Sequence, residues 1–189
     1  MPAKLEYTPD QLATELERQG AQAQALVAGL TEAALNWQPN GGKSWSIAQC
    51  LDHLAIMNAI YVKALQTAVA NNEDQLEPRK VPIQASGWLT RMFINFEEPP
   101  PKFKLPAPKK ISPPSGLTCA VVSDFQALQR QFADFVREWG EADLGDLKVK
   151  DPLFPLHLTV DTELLIVAAH NRRHLWQAEN VKKSAGFPG

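Results

Sequence analysis

Cysteine, histidine and charge of one sign are all scarce in this chain, and each scarcity removes a class of protein. The two cysteines, Cys50 and Cys119, are too few and too far apart for a disulfide framework, a zinc ribbon or a redox pair, so a reducing, cytoplasmic setting is expected. With 19 Lys+Arg against 21 Asp+Glu the formal net charge is -2, which is no electrostatic footprint for a polyanion, and nucleic acid is not an expected partner. No run approaches the ~18 apolar residues of a membrane span. Residues 1–7 hold no apolar signal core, so neither secretion nor a membrane partner is expected. A P-loop, a G-x-G-x-x-G turn, a G-x-S-x-G elbow and an H-E-x-x-H helix are all missing. What is present is a 189-residue chain, 44% hydrophobic and 21% charged, whose length and composition suit one globular domain over residues 1–189.

Helical periodicity dominates the apolar pattern. Thr8 followed by Pro9 is an N-cap with proline in the first turn, where its missing N–H costs nothing. Leu12, Leu16, Ala23, Leu26, Val27 and Leu30 then predict a helix over about 8–30, with Glu15, Glu17, Arg18 and Gln22 on its wet side. After breakers at 36–42, Ser46 with Gln49 three residues on has the spacing of a capping box for a second helix to about Ala70. Ser123 or Asp124 is the expected cap of a third, with Phe125, Leu128, Phe132, Phe135, Val136 and Trp139 as its stripe and Gly140 at its end. A fourth is expected from Thr159–Asp161 to about Lys183. No strong strand is visible, so the fold class is all-α: a four-helix bundle.

Residues 76–118 read differently, since nine of the 15 prolines lie between Pro78 and Pro114. A short helix at about 86–96 is expected to dock an apolar face containing Trp88, Leu89, Met92, Phe93 and Phe96, and the remainder to cross between the second and third long helices as an extended arm. Residues 78–114 carry seven basic against two acidic residues, or +5 in a chain of net -2. A solvated crossover and an anion-attracting surface are both compatible with that asymmetry.

The four histidines are His53, His157, His170 and His174. His170 and His174 stand at i and i+4, about 40° apart around a helix and roughly 6 Å apart, close enough for both imidazoles to reach one ion. Both fall on the stripe through Val160, Val167 and Val181, and His53 shares a stripe with Cys50, Met57, Ile60 and Ala64, so three rings are expected to face inward. Two readings stand: separately hydrogen-bonded core histidines, or three neutral nitrogen ligands of one divalent metal with open positions left for chemistry. His157 is expected at the surface and Cys50 in the core. Asp52 should lie on another helix face, and the five tryptophans are read as packing. Arg173 reaches the edge of the histidine face, where a substrate anion is one reading of its charge.

Three segments resemble the DinB-like superfamily, including its YfiT-like metal-dependent hydrolases. Lys43 to Leu54, reading KSWSIAQCLDHL, is similar to the family's W-S-I…H-L start of the second helix; His170 to Gln177, HNRRHLWQ, is similar to its H-x-x-x-H…Q fourth helix; Asp151 to Phe154 resembles the loop before it. Many relatives have histidine where Asp151 stands and glycine where Pro155 stands. The resemblance implies a four-helix bundle in which His53, His170 and His174 bind one divalent ion, often nickel, zinc or iron. It also implies a small-molecule substrate and, in characterised relatives, a low-molecular-weight thiol used in S-transfer or isomerisation. A homodimer is common in the family, although no heptad or exposed apolar face in this sequence picks out an interface. A thiol S-transferase, a metal-dependent hydrolase and a non-catalytic metal- or ligand-binding stress protein remain open, and the catalytic residues are not assigned.

Overall fold

The computed structural model describes residues 3–101 and 107–189. Lys102 and Lys104 of the basic arm lie outside the described residues. The chain is mostly helical, in the order β1 (Glu6–Tyr7), α1 (Pro9–Val27), α2 (Glu32–Asn36), α3 (Pro39–Gly42), α4 (Ile47–Ala70), β2 (Ile83–Gln84), α5 (Gly87–Glu97), α6 (Ala120–Trp139), β3 (Lys148–Lys150), β4 (His157–Thr159) and α7 (Val160–Lys182). Of these, α3 is a single turn with Asn40 and Gly41 at positive φ, so the breakers at 36–42 do interrupt the chain. The strands are two or three residues long and pair antiparallel, β1 with β2 and β3 with β4, pinning loop ends to the bundle.

The helices start where side chains satisfy their first N–H groups. Thr8 with Gln11 and Ser46 with Gln49 form complete capping boxes, and Thr159 Oγ1 accepts from Thr162 N. The third long helix starts earlier than expected, at Ala120 with Cys119 as the flanking residue, rather than at Ser123 or Asp124. The Ser123 hydroxyl donates back to Ala120 O at 2.8 Å, as a serine inside a helix does, and burial of Val121 and Val122 favours keeping them helical. Glu15 also departs from expectation: it is not on a wet face but is bound by Arg18, Gln19 and Arg172.

Four long helices close a ring of contacts, α1 on α6, α6 on α4, α4 on α7 and α7 on α1. At the end of α6, a Cβ on Gly140 would stand 2.5 Å from Pro9 Cβ, so glycine lets α6 end against the start of α1. The apolar interior forms two clusters, one around Leu12, Leu65, Phe132 and Leu164, the other around Ala23, Leu51, Phe125 and Leu175. Within the bundle lies a layer of amides, one from each long helix. Asn171 Nδ2 donates to Gln19 Oε1 (3.0 Å) and Gln129 Oε1 (3.1 Å), Asn58 Nδ2 donates to Asn171 Oδ1 (3.1 Å), and Gln19 Nε2 donates to Ala168 O (3.0 Å). Side chains that need one another's hydrogen bonds in a dry interior fix the relative heights of the helices more narrowly than apolar packing does.

Residues 78–98 and 107–111 pack on the α4–α7 side. Arg79 grips Asp161 in the first turn of α7 with two bonds of 2.7 and 2.8 Å and also donates to Gly140 O. Ser86 N donates to Thr162 Oγ1, α5 packs on α7, and the turn at Lys109–Ile111 reaches α4. The docked residues of α5 are Ile94 and Glu97, with Phe96 half-buried against Arg173 of α7; Trp88, Leu89, Met92 and Phe93, expected from the sequence to dock with Phe96, are exposed.

Candidate metal centre

The cap at Ser46 starts α4 so that His53, in its second turn, faces α7; the cap at Thr159 starts α7 so that His170 and His174 face back. The three side chains are brought together, with one ring nitrogen from each within 4.8 Å of the others. Ring centroids are 5.3 Å apart for His53 and His170 and 4.6 Å for each pair that includes His174. His53 and His174 are buried and His170 is half-buried.

What surrounds the rings fixes which nitrogens face one another. His53 Nδ1 lies 2.8 Å from Ile111 O, His170 Nδ1 lies 3.0 Å from Glu97 Oε2, and His174 Nδ1 lies 3.0 Å from Gln177 Oε1. Each of these partners is an acceptor, so each Nδ1 carries the proton and donates, and Nε2 is left as a lone pair. The Nε2 atoms of His53 and His170 then face each other at 3.1 Å with no proton between them. Burial, followed by the charge of His170, lowers the His53 imidazole to about 4; the same two causes, with His53 adding to them, hold His174 well below the usual histidine value. Burial pushes the Glu97 carboxyl up, but the hydrogen bond and charge of His170, with Arg173, outweigh it and leave it below the ordinary range.

Ring nitrogens brought together with no proton between them fit a cation and fit little else. Three imidazole nitrogens suit zinc, nickel, iron or copper, whereas magnesium and calcium select oxygen donors. The donor set, the missing protons between Nε2 atoms and the anchored Nδ1–H groups all agree with a site that could hold a divalent transition metal.

Two residues at the centre were not singled out from the sequence. Glu97 was visible only as a negative charge in a basic arm, and nothing in its spacing tied it to a histidine 73 positions later. Trp45 was read as packing, yet its ring lies 4.9 Å from that of His53 and 5.7 Å from that of His174, forming a wall of the site. The Ile111 carbonyl is a backbone group with no sequence signature at all. Arg173 is turned to Glu97 Oε2 and Phe96 O, and Arg172 is held by Glu15 and Glu98. His157 is exposed in β4, Cys50 is fully buried with its thiol pushed up by burial, and Asp52 lies outside the cluster.

Next to the centre on the α4–α7 seam, Asp151 ties the loop before β4 in place. Its Oδ1 accepts from Leu153 N and Phe154 N, both at 2.7 Å, and its Oδ2 accepts from the Tyr61 hydroxyl at 2.9 Å. Glu163 is buried beside it, with no donor to either oxygen among the described residues. Burial, then the charge of Asp151, pushes its carboxyl up to about 8, so at neutral pH it holds a proton that it can donate to Asp151.

An all-α bundle with three histidines converging from two facing helices is the arrangement of a helical metal-binding scaffold. The chain belongs to the DinB superfamily, whose family profile matches residues 15–178 and so takes in all three histidines. No curated protein and no solved structure matches it. Among the described residues no helix is long and apolar enough to cross a membrane.

Proposed function

We propose that the chain is a single-domain, cytoplasmic metalloenzyme acting on a small molecule, in which His53, His170 and His174 hold one divalent ion. The observation that carries this reading is that one ring nitrogen of each histidine lies within 4.8 Å of the others, with the Nδ1 of every ring against an acceptor and the His53 and His170 Nε2 atoms 3.1 Å apart. A divalent ion bound there supplies positive charge that favours the anionic form of a thiol or water at neutral pH. Zinc, nickel and iron all suit the donors.

The chain's own residues do the positioning. Glu97 fixes the His170 ring and returns a negative charge to the site, the Ile111 carbonyl fixes His53, and Gln177 fixes His174 from one turn along the same helix. Trp45 covers the rings of His53 and His174 and keeps water from that side. Neither cysteine is placed for covalent catalysis: Cys50 is sealed in the core as a thiol, and Cys119 is exposed at the start of α6, outside the cluster. The nucleophile in this reading is a low-molecular-weight thiol or water.

A thiol S-transferase reading is preferred on the resemblance to thiol-using relatives. Its test is consumption of glutathione, bacillithiol or mycothiol with a small electrophile, measured beside hydrolysis of activated esters and amides. Thiol-dependent turnover lost in His170→Ala supports transfer. Thiol-independent hydrolysis with the same dependence converts the assignment to a hydrolase. A loaded protein with neither activity makes the site one of binding only.

A further inference from the structure

The side of α5 that faces away from α7 is apolar and open. Trp88, Leu89, Met92 and Phe93 fall within one arc of the helix, and Trp88 is 71% and Met92 58% exposed; Val81, just before β2, is exposed as well. At ~100° per residue, positions 88, 92, 89 and 93 span about 140°. Their open surface is on the order of 400–500 Å², the size of the largest apolar patch on a typical monomer, which is often functional. The helix buries Ile94 and Glu97 and presents its more apolar side outward, the reverse of what folding alone selects.

Among the described residues of 78–114, the charges left without an opposite partner are of one sign. Within the described part of 78–114 the two acids are used: Glu97 by His170 and Arg173, and Glu98 by Arg172. Arg79 is neutralised by Asp161. What remains is Lys80, ahead of α5, Arg91 on α5, and Lys109 and Lys110 in the turn over α4, none of them with an acidic partner among the described residues; Arg91 donates to the Ala85 carbonyl and the Gln84 amide oxygen. A basic segment with an exposed apolar helix face thus lies on a chain whose net charge is -2.

We propose that α5 and its flanking lysines form a docking face for an anionic membrane surface, with Trp88, Leu89, Met92 and Phe93 entering the headgroup boundary and Lys80, Arg91, Lys109 and Lys110 meeting lipid phosphate. Charge complementarity selects this occupant. A second copy docked through the same apolar arc would set like charges against like, with no unpaired acid in the described part of 78–114 to separate them. An interfacial helix carrying tryptophan and flanking cations matches a negatively charged bilayer in both respects. The sequence reading of no membrane partner rested on the lack of a spanning segment, and surface docking needs none.

The test is flotation of the full-length protein with vesicles of phosphatidylcholine alone and with vesicles in which about a third of the lipid is phosphatidylglycerol. Binding to the anionic vesicles only, reduced by roughly tenfold or more in Trp88→Ser/Met92→Ser and weakened in Lys109→Ala/Lys110→Ala or at high salt, is the expected result. Since these side chains are exposed, both variants should keep the wild-type circular dichroism. Absence of flotation with either vesicle overturns the proposal. So does sedimentation showing a dimer that Trp88→Ser/Met92→Ser dissociates while vesicles bind neither form, which assigns the face to a second copy.

Discussion

Two polar clusters sit side by side in the interior of this bundle, one residue apart on α7, and they are built in opposite ways. Around Asn171 the side chains complement one another, amide donors meeting amide oxygens across four helices, with only Gln129 Nε2 left without a partner among the described residues. Around His170 the donors all point outward, to Ile111, Glu97 and Gln177, and the acceptors all point inward at one another. The amide layer is held by the protein's own donors and acceptors, whereas the histidine cluster sets ring nitrogens against one another and could hold a metal ion.

If that contrast is right, damage to the two clusters should have unequal consequences for stability. Asn171→Leu strands Gln19 and Gln129 oxygens and an Asn58 N–H in the core, and the expected loss is about 3–5 kcal/mol in denaturant unfolding. Replacing His53, His170 and His174 together by leucine relieves the facing ring nitrogens but leaves the Ile111 carbonyl, Glu97 and Gln177 without their histidine donors, so unfolding without metal should lose less than Asn171→Leu does, about 1–2 kcal/mol. The metal is expected to stabilise the wild type by about 2.7 kcal/mol at a hundredfold excess over its dissociation constant, and to leave the triple variant unchanged. A triple variant that loses as much as Asn171→Leu would mean that the histidines belong to the fold after all.

A smaller effect tests the seam that carries both clusters. Glu163 binds its proton more tightly folded than unfolded, so its contribution to stability is complete below the ordinary carboxylate range and is lost as pH rises through about 8. Wild type should therefore weaken progressively from about pH 4.5 to about pH 8 and level off above it, losing about 1.4 kcal/mol between pH 7 and pH 9, and Glu163→Gln, which keeps the shape and cannot ionise, should remove that decline. Unfolding curves for the two proteins that keep the same slope against pH would break this assignment. Smallest of all, Glu97→Gln retains an acceptor for His170 but withdraws the negative charge, and metal affinity by competitive chelation should fall about tenfold with little change in metal-free stability.

The sequence made the frame legible because caps and stripes are local. Thr8-Pro9, Ser46 with Gln49 and Thr159 each start a helix where their chemistry requires, and the apolar period turned His53, His170 and His174 inward without any knowledge of neighbours. The residues that complete the centre were not legible because their role is made by contact across the fold. Glu97 and the Ile111 carbonyl come from the proline-rich stretch, where periodicity carries no signal, and the orphaned Glu163 looked like an ordinary acid in the first turn of α7. Ser123 misled for a related reason: a serine that caps one helix and a serine that bonds back inside another are the same letter. The outward face of α5 inverted a rule that works elsewhere in the chain, since its apolar arc was expected to dock and is instead exposed.

The contrast between an amide layer held by the protein and a histidine cluster that could hold a metal is tested most directly by elemental analysis of tag-free protein, wild type beside a His170→Ala/His174→Ala variant that retains its helical circular dichroism. About one zinc, nickel or iron per chain in the wild type, as isolated or after reconstitution, and none in the variant is the predicted result. A wild type that takes up no ion from any of the three metals, or a variant that holds as much as the wild type, would contradict it.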